Sequence, residues 1–169
     1  MINVSIREPV AKDQEAFIVA MQRSQSLHQP WVKAPITPQE FNEYLLRSQL
    51  PNQKSFLVYD NLENMVGVFN VNEIVRGFFQ NAYLGFYAVA DYSGKGYMSA
   101  GLKLVLEVIF KEMNLHRIEA NIQPANTPSI QLVESNGFRY EGFSLRYLQI
   151  NDEWCDHERW AITVEDFIK

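Results

Sequence analysis

NAYLGFYAVADYSGKGYMS, residues 81–99, decides how the rest of the chain is read. Asn81 to Val89 reads as a strand that is apolar on both faces and therefore covered on both. After Asp91 the pattern changes to Ser93-Gly94-Lys95-Gly96, where small residues let backbone N–H groups turn together and approach a ligand closely. A helix opens at Tyr97, which sets those N–H groups at the positive end of its dipole. A strand, a tight glycine loop and a helix N-terminus in that order make a place to hold phosphate. The same residues also make an ordinary strand-to-helix turn. The loop is not G-x-x-x-x-G-K-[ST], which argues against an ATP or GTP P-loop. A dinucleotide fingerprint needs a third glycine at position 99, where Ser99 stands.

Working back from this stretch, Ile2–Arg7 alternates as an opening strand does, and Pro9 ends it. Apolar residues at 16, 17, 20, 21 and 27 predict a helix over 11–27, with Asp13 as its N-cap. A loop with three prolines, LHQPWVKAPITPQEF, follows. Thr37 and Glu40 form a capping box for a second helix ending near Gln49. Ser55–Tyr59 and Met65–Val71 read as a hairpin turning at Asp60-Asn61. Working forward, the helix from Gly96 to Met113 carries its apolar stripe on Met98, Leu102, Val105, Leu106, Ile109, Phe110 and Met113. Arg117–Ile122 is the next strand, and Thr127–Asn136 a short helix closed by Gly137. Phe138–Ile150 and Trp154–Thr163 form a long hairpin about Asn151-Asp152. The order β-α-α-β-β-β-α-β-α-β-β describes one mixed α/β domain over residues 1–169.

Composition narrows the function. The 169 residues are 47% hydrophobic and 21% charged, ordinary for a globular domain with a real core. A net charge of −5 argues against a general binder of nucleic acid or acidic membrane. The single Cys155 excludes an internal disulfide and a cysteine zinc cluster. His28, His116 and His157 have no ligand spacing, so no metal is expected. No apolar run approaches membrane length, and MINVSIREPV does not read as a signal peptide, so a cytoplasmic protein is expected. The apolar, tyrosine-rich C-terminal hairpin leaves room for a homodimer.

The element order and the loop together resemble the GNAT acyl-CoA N-acyltransferases. That family's loop, usually written Q/R-x-x-G-x-G/A, reads here Ser93-Gly94-Lys95-Gly96-Tyr97-Met98. Ser93 departs from the usual Arg or Gln, and Met98 from the final small residue. HRIEANIQPANTPSIQLVESNGFRYEGF and YLQINDEWCDHERWAITVEDF are similar to the RimJ/RimL branch, the ribosomal-protein N-terminal acetyltransferases. The loop around Pro30-Trp31-Val32 is similar as well. The resemblance implies a central, mostly antiparallel sheet of about seven strands, with a splayed strand pair that holds acetyl-CoA. It implies that Ser93, Gly94, Lys95, Gly96, Tyr97, Met98 and Ser99 hold the pyrophosphate, mainly through backbone N–H groups. The pantetheine arm would lie between strands 81–89 and 117–122, with the thioester near Tyr87 and Asn121. Asn126 and Ser129 would lie near the arm and sulfur, and Trp31 in the acceptor region.

Aminolysis of a thioester needs a neutral amine, a stabilised oxyanion and a proton for the thiolate. An α-amino group, with a pKa of about 7.7–8.0, is partly neutral at pH 7, whereas a lysine at about 10.4 needs more help. The position where other GNAT enzymes carry a glutamate base matches Asn121, which cannot ionise. Glu119, two residues earlier on the same strand face, is the substitute to examine. The family's usual tyrosine acid is replaced by Val133, which leaves the Ser129 hydroxyl beside the sulfur. Peptide N–H groups of Tyr87, Ala88 and Val89 would serve the oxyanion. The expected activity is acetyl transfer to the N-terminal α-amine of a protein, a ribosomal protein above all. A small amine (polyamine, amino acid or antibiotic) is the alternative acceptor, and a non-catalytic acyl-CoA-binding module the alternative class.

Overall fold

The computed structural model describes residues 1–169. Seven strands form one sheet: β1 (Val4–Arg7), β2 (Lys54–Asp60), β3 (Met65–Val75), β4 (Asn81–Ala88), β5 (Arg117–Ile122), β6 (Arg139–Ile150) and β7 (Glu153–Thr163). They lie in the order β1-β2-β3-β4-β5-β7-β6. Every neighbouring pair is antiparallel except β4 with β5. The helices are α1 (Gln14–Arg23), α2 (Gln25–His28), α3 (Pro38–Ser48), α4 (Tyr97–Glu107), α5 (Thr127–Ser135) and α6 (Val164–Phe167). None is long and apolar enough to cross a membrane.

Alternation along the strands sorts side chains to two faces. Ala82 and Leu84 of β4 join Ile118, Ala120 and Ile122 of β5 in a core under α4. Tyr87 and Val89 instead enter a second core with Phe17, Phe41 and Tyr44 from α1 and α3. Thus the apolar character of 81–89 on both faces reflects helices on both sides. A bulge helps β3 serve both cores: Val58 pairs with Gly67 and Tyr59 with Met65, so Val66 is extra and turns toward α4. Helix α4 lies close to the sheet because it carries Gly101. A Cβ there would stand 3.0 Å from both Val58 methyls and 3.2 Å from Phe69.

Three local expectations change. The helix expected over 11–27 is a 3-10 turn at Ala11–Asp13, then α1, then α2. The break falls at the fully buried Ser24, whose hydroxyl donates to the Ala20 carbonyl (2.7 Å) and accepts from the Ala90 N–H (2.9 Å). Back-bonding of that kind bends helices. Asp13 does not cap; it takes both Arg7 guanidinium nitrogens (2.8 and 2.6 Å) and the Val10 N–H (2.7 Å). The helix that begins at Tyr97 ends in a π turn over Val108–Glu112, with Met113 N–H donating to the Val108 carbonyl at 2.8 Å. The β6–β7 turn is as expected, with Asn151 and Asp152 both at positive φ.

Between β4 and β5 the sheet opens. Their parallel pairing covers only Asn81–Tyr83 against Arg117–Glu119. Beyond it β4 stays with β3 to Gly67↔Ala88, while β5 stays with β7 to Ile122↔Glu158. Each strand is held on its outer side, so a wedge remains between them.

Candidate active site

The wedge widens into a cavity of about 600 Å³. On the α4 side it is bounded by the glycine loop and the opening turn of α5, and on the α1–α3 side by the α2 loop and the β6–β7 hairpin.

The glycine loop is fastened before it reaches the cavity. Ser24 holds the Ala90 N–H, and Arg23 pairs with Asp91 at 2.9 Å. Gly94 and Gly96 then adopt φ of +73° and +87°, the left-handed region that favours glycine. Gly96 precedes α4, whose Tyr97, Met98 and Ser99 N–H groups have no acceptor one turn back. Ser93, Gly94, Gly96, Met98 and Ser99 line the cavity. Lys95 and Tyr97 do not: the Lys95 ammonium donates to the Asp91 carbonyl (2.9 Å), and Tyr97 packs edge-on against Tyr92. Asn136, at the end of α5, donates to the Ser99 hydroxyl at 3.1 Å and ties the two helices together.

On the strands, Tyr87, Ala88 and Asn121 line the cavity. Val89 does not. Its N–H donates to the Val66 carbonyl (3.0 Å), so by alternation the Ala88 N–H points into the wedge. Of the three N–H groups expected to serve the oxyanion, alternation turns that of Ala88 alone toward the wedge. The Asn121 amide oxygen is sealed from solvent without a hydrogen bond in the chain, as is the Tyr87 hydroxyl. Burial pushes the Tyr87 phenol well above its ordinary range. Asn126 and Ser129 also line the cavity, as does Trp31, across from them.

Glu119 is elsewhere. It shares a strand face with Asn121, as expected, but stands opposite Tyr83, where β4 and β5 are still zipped. Arg117 donates to it at 2.8 Å and also binds Glu141. Glu119 does not line the cavity. Val133 is fully buried in the core.

Two histidines without metal-ligand spacing also line the cavity. His28 and His157, from α2 and β7, line it while almost fully buried. Alternation along Cys155–Ala161 places His157 and Arg159 on one face, but nothing local in the sequence brings His28 to the same cavity. Against the unpaired edges of β4 and β5 a chain of amides finds partners. The left-handed glycines leave room for an anion.

The family described as "Acetyltransferase (GNAT) domain" matches residues 3–139. The chain is similar to the probable N-acetyltransferase YjcK of Bacillus subtilis, 33% identical over 125 residues, covering 73% of this chain and 69% of that protein. It is similar to the [ribosomal protein uS5]-alanine N-acetyltransferase of Escherichia coli, 35% identical over 105 residues, or 62% of this chain and 54% of that one. In three dimensions it resembles Mycobacterium smegmatis RimJ in complex with CoA-disulfide, with a TM-score of 0.90, 27% identity, and coverage of 98% and 84%. The spermidine N-acetyltransferase of Vibrio cholerae, solved with CoA and spermine, shares the fold at 21% identity, with a TM-score of 0.83 and 98% of each chain covered. The chain belongs to the GNAT family of acetyltransferases.

Proposed function

We propose that the chain transfers acetyl from acetyl-CoA to the N-terminal α-amino group of a protein. One observation carries the choice of acceptor: no aspartate, glutamate, lysine or arginine lines the cavity. A polyamine brings several positive charges, and burying them without counter-charges is costly. An α-amine brings one positive charge at most and loses it readily near neutrality. The net charge of −5 suits a basic protein acceptor.

In this reading the N–H groups of the 94–99 loop hold the pyrophosphate, and the pantetheine amides pair with the open edges of β4 and β5. The thioester carbonyl lies by Tyr87 and Asn121, with the Ala88 N–H facing the oxygen on which charge develops. The Ser129 hydroxyl faces the departing sulfur. A panel of peptides with free N-termini, spermidine and an aminoglycoside, assayed for free thiol with acetyl-CoA, tests the assignment. Peptides should be preferred, with the added mass on the N-terminal residue. Preference for spermidine would overturn the acceptor class. Acetyl-CoA binding with no thiol released by any amine would make the chain a binding module.

A further inference from the structure

Few groups in the cavity can take up a proton. Its ionisable side chains are His28, Tyr87, Tyr92 and His157. A phenol gives a proton rather than taking one, and burial pushes that of Tyr87 well above its ordinary range. His28 Nε2 stands 2.8 Å from the Ala88 carbonyl oxygen, which only accepts, so Nε2 carries the hydrogen. Its ring packs 5.3 Å from Tyr87, and burial makes its protonation harder.

His157 is held the other way round. Its Nδ1 lies 2.8 Å from the Cys155 carbonyl oxygen, so the hydrogen sits on Nδ1 and Nε2 presents a lone pair. No hydrogen bond in the chain occupies Nε2, and it is not among the polar atoms sealed from solvent. The residue is 3% exposed and lines the cavity. Register fixes its place. Asn121 pairs with Arg159, so His157, two residues along β7, is the diagonal neighbour of Asn121 on the same face. Facing the ring from β6 are Ser144, directly paired, and Tyr147, with ring centres 6.4 Å apart. The nearest cation on its own strand is Arg159, whose guanidinium lies over Gly142.

We propose that His157 is the general base of acetyl transfer, Nε2 taking the proton that the acceptor amine must lose. The amine nitrogen attacks the thioester carbonyl carbon, and a C–N bond forms. His157 Nε2 removes a proton from that nitrogen. The C–S bond then breaks and the thiolate takes a proton from solvent beside Ser129, giving N-acetylated amine and free thiol. The imidazolium returns its proton to solvent. The Cys155 carbonyl supports the ring throughout, because Nδ1 keeps its hydrogen in both charge states.

The proposal rests on the acetyltransferase reading but not on which amine is accepted, so the test uses whichever panel amine the wild-type chain acetylates. In H157Q, kcat/KM at neutral pH should fall roughly a hundredfold while acetyl-CoA affinity holds. The deficit should shrink as pH rises and the amine deprotonates unaided. Added imidazole should restore part of the rate in H157A. Wild-type kcat/KM in H157Q overturns the proposal. So does a deficit that is equal at every pH with no rescue, which marks a structural role, or a pH-dependent deficit in H28Q instead. Nitrogen-15 shifts of the histidine rings in the intact wild-type chain provide a check independent of variant folding and of any acceptor. Hydrogen on Nδ1 of His157 supports the assignment, and hydrogen on Nε2 overturns it.

Discussion

Ser129 stands in the first turn of α5, beside the wedge, and Val133 one turn on is fully buried. A hydroxyl that strengthens its hydrogen bond as sulfur becomes anionic acts on turnover more than on binding. Ser129→Ala is therefore expected to lower kcat about tenfold, one hydrogen bond's worth at about 1.4 kcal/mol, with little change in acetyl-CoA affinity by calorimetry. Glu119 leads to the opposite expectation. Bound to Arg117 outside the cavity, it is expected to support the sheet and not the chemistry. Glu119→Gln should keep kcat within about threefold and shift the urea midpoint by about 1 kcal/mol of stability, with Arg117 still paired to Glu141. That Glu119 and Asn121 share a face was legible in the sequence, because alternation is local. The point at which two strands part was not, because it depends on register. His157 was illegible for a related reason: its tautomer is set by a backbone carbonyl and its cavity by strands far apart in the chain.

At the scale of elements, the loop and α4 were the most legible parts, since glycine spacing and helical periodicity are both short-range. The structure adds the conformations that separate the two glycines. A Cβ on Gly96 would stand 2.6 Å from Ile2, whereas one on Gly94 meets open space. Gly94 is thus the cleaner probe, because Asn and Asp both tolerate its left-handed φ. Gly94→Asp should weaken acetyl-CoA binding at least tenfold, about 1.4 kcal/mol, and Gly94→Asn much less. Equal affinities by calorimetry would remove the anion from the loop. Gly101 looks in sequence like a weak point in a good helix, yet it is what lets α4 approach Val58 and Phe69. Gly101→Leu should cost about 2 kcal/mol or more by overpacking, read from urea unfolding. The break at Ser24 escaped the periodicity because its cause, the Ala90 N–H, comes from a distant loop.

Across the whole molecule, carboxylates tie the N-terminal strand to α1 and close the far end of the sheet. Burial alone would raise the Asp13 carboxyl, but Arg7 and the Val10 N–H hold it below its ordinary value; Arg117 holds Glu141 down likewise. For carboxyls so lowered, the stabilising contribution is complete above the ordinary carboxylate range and is lost as pH falls through the native values. The melting temperature should drop steeply below about pH 4, and Glu141→Gln should flatten that slope while lowering stability at neutral pH. The wedge between β4 and β5 has a different consequence. A seam with unpaired amides at its edges is where the native state opens most readily. The backbone hydrogens of Leu84, Phe86 and Ala88, which alternate with those given to β3 and point into the seam, should therefore exchange quickly in the free chain and slowly once acetyl-CoA closes it. Ligand at a hundred times its Kd adds about 2.7 kcal/mol to folding stability, so proteolytic lifetime should lengthen with donor concentration. The abundance of the protein in a cell would then follow the supply of the molecule it consumes.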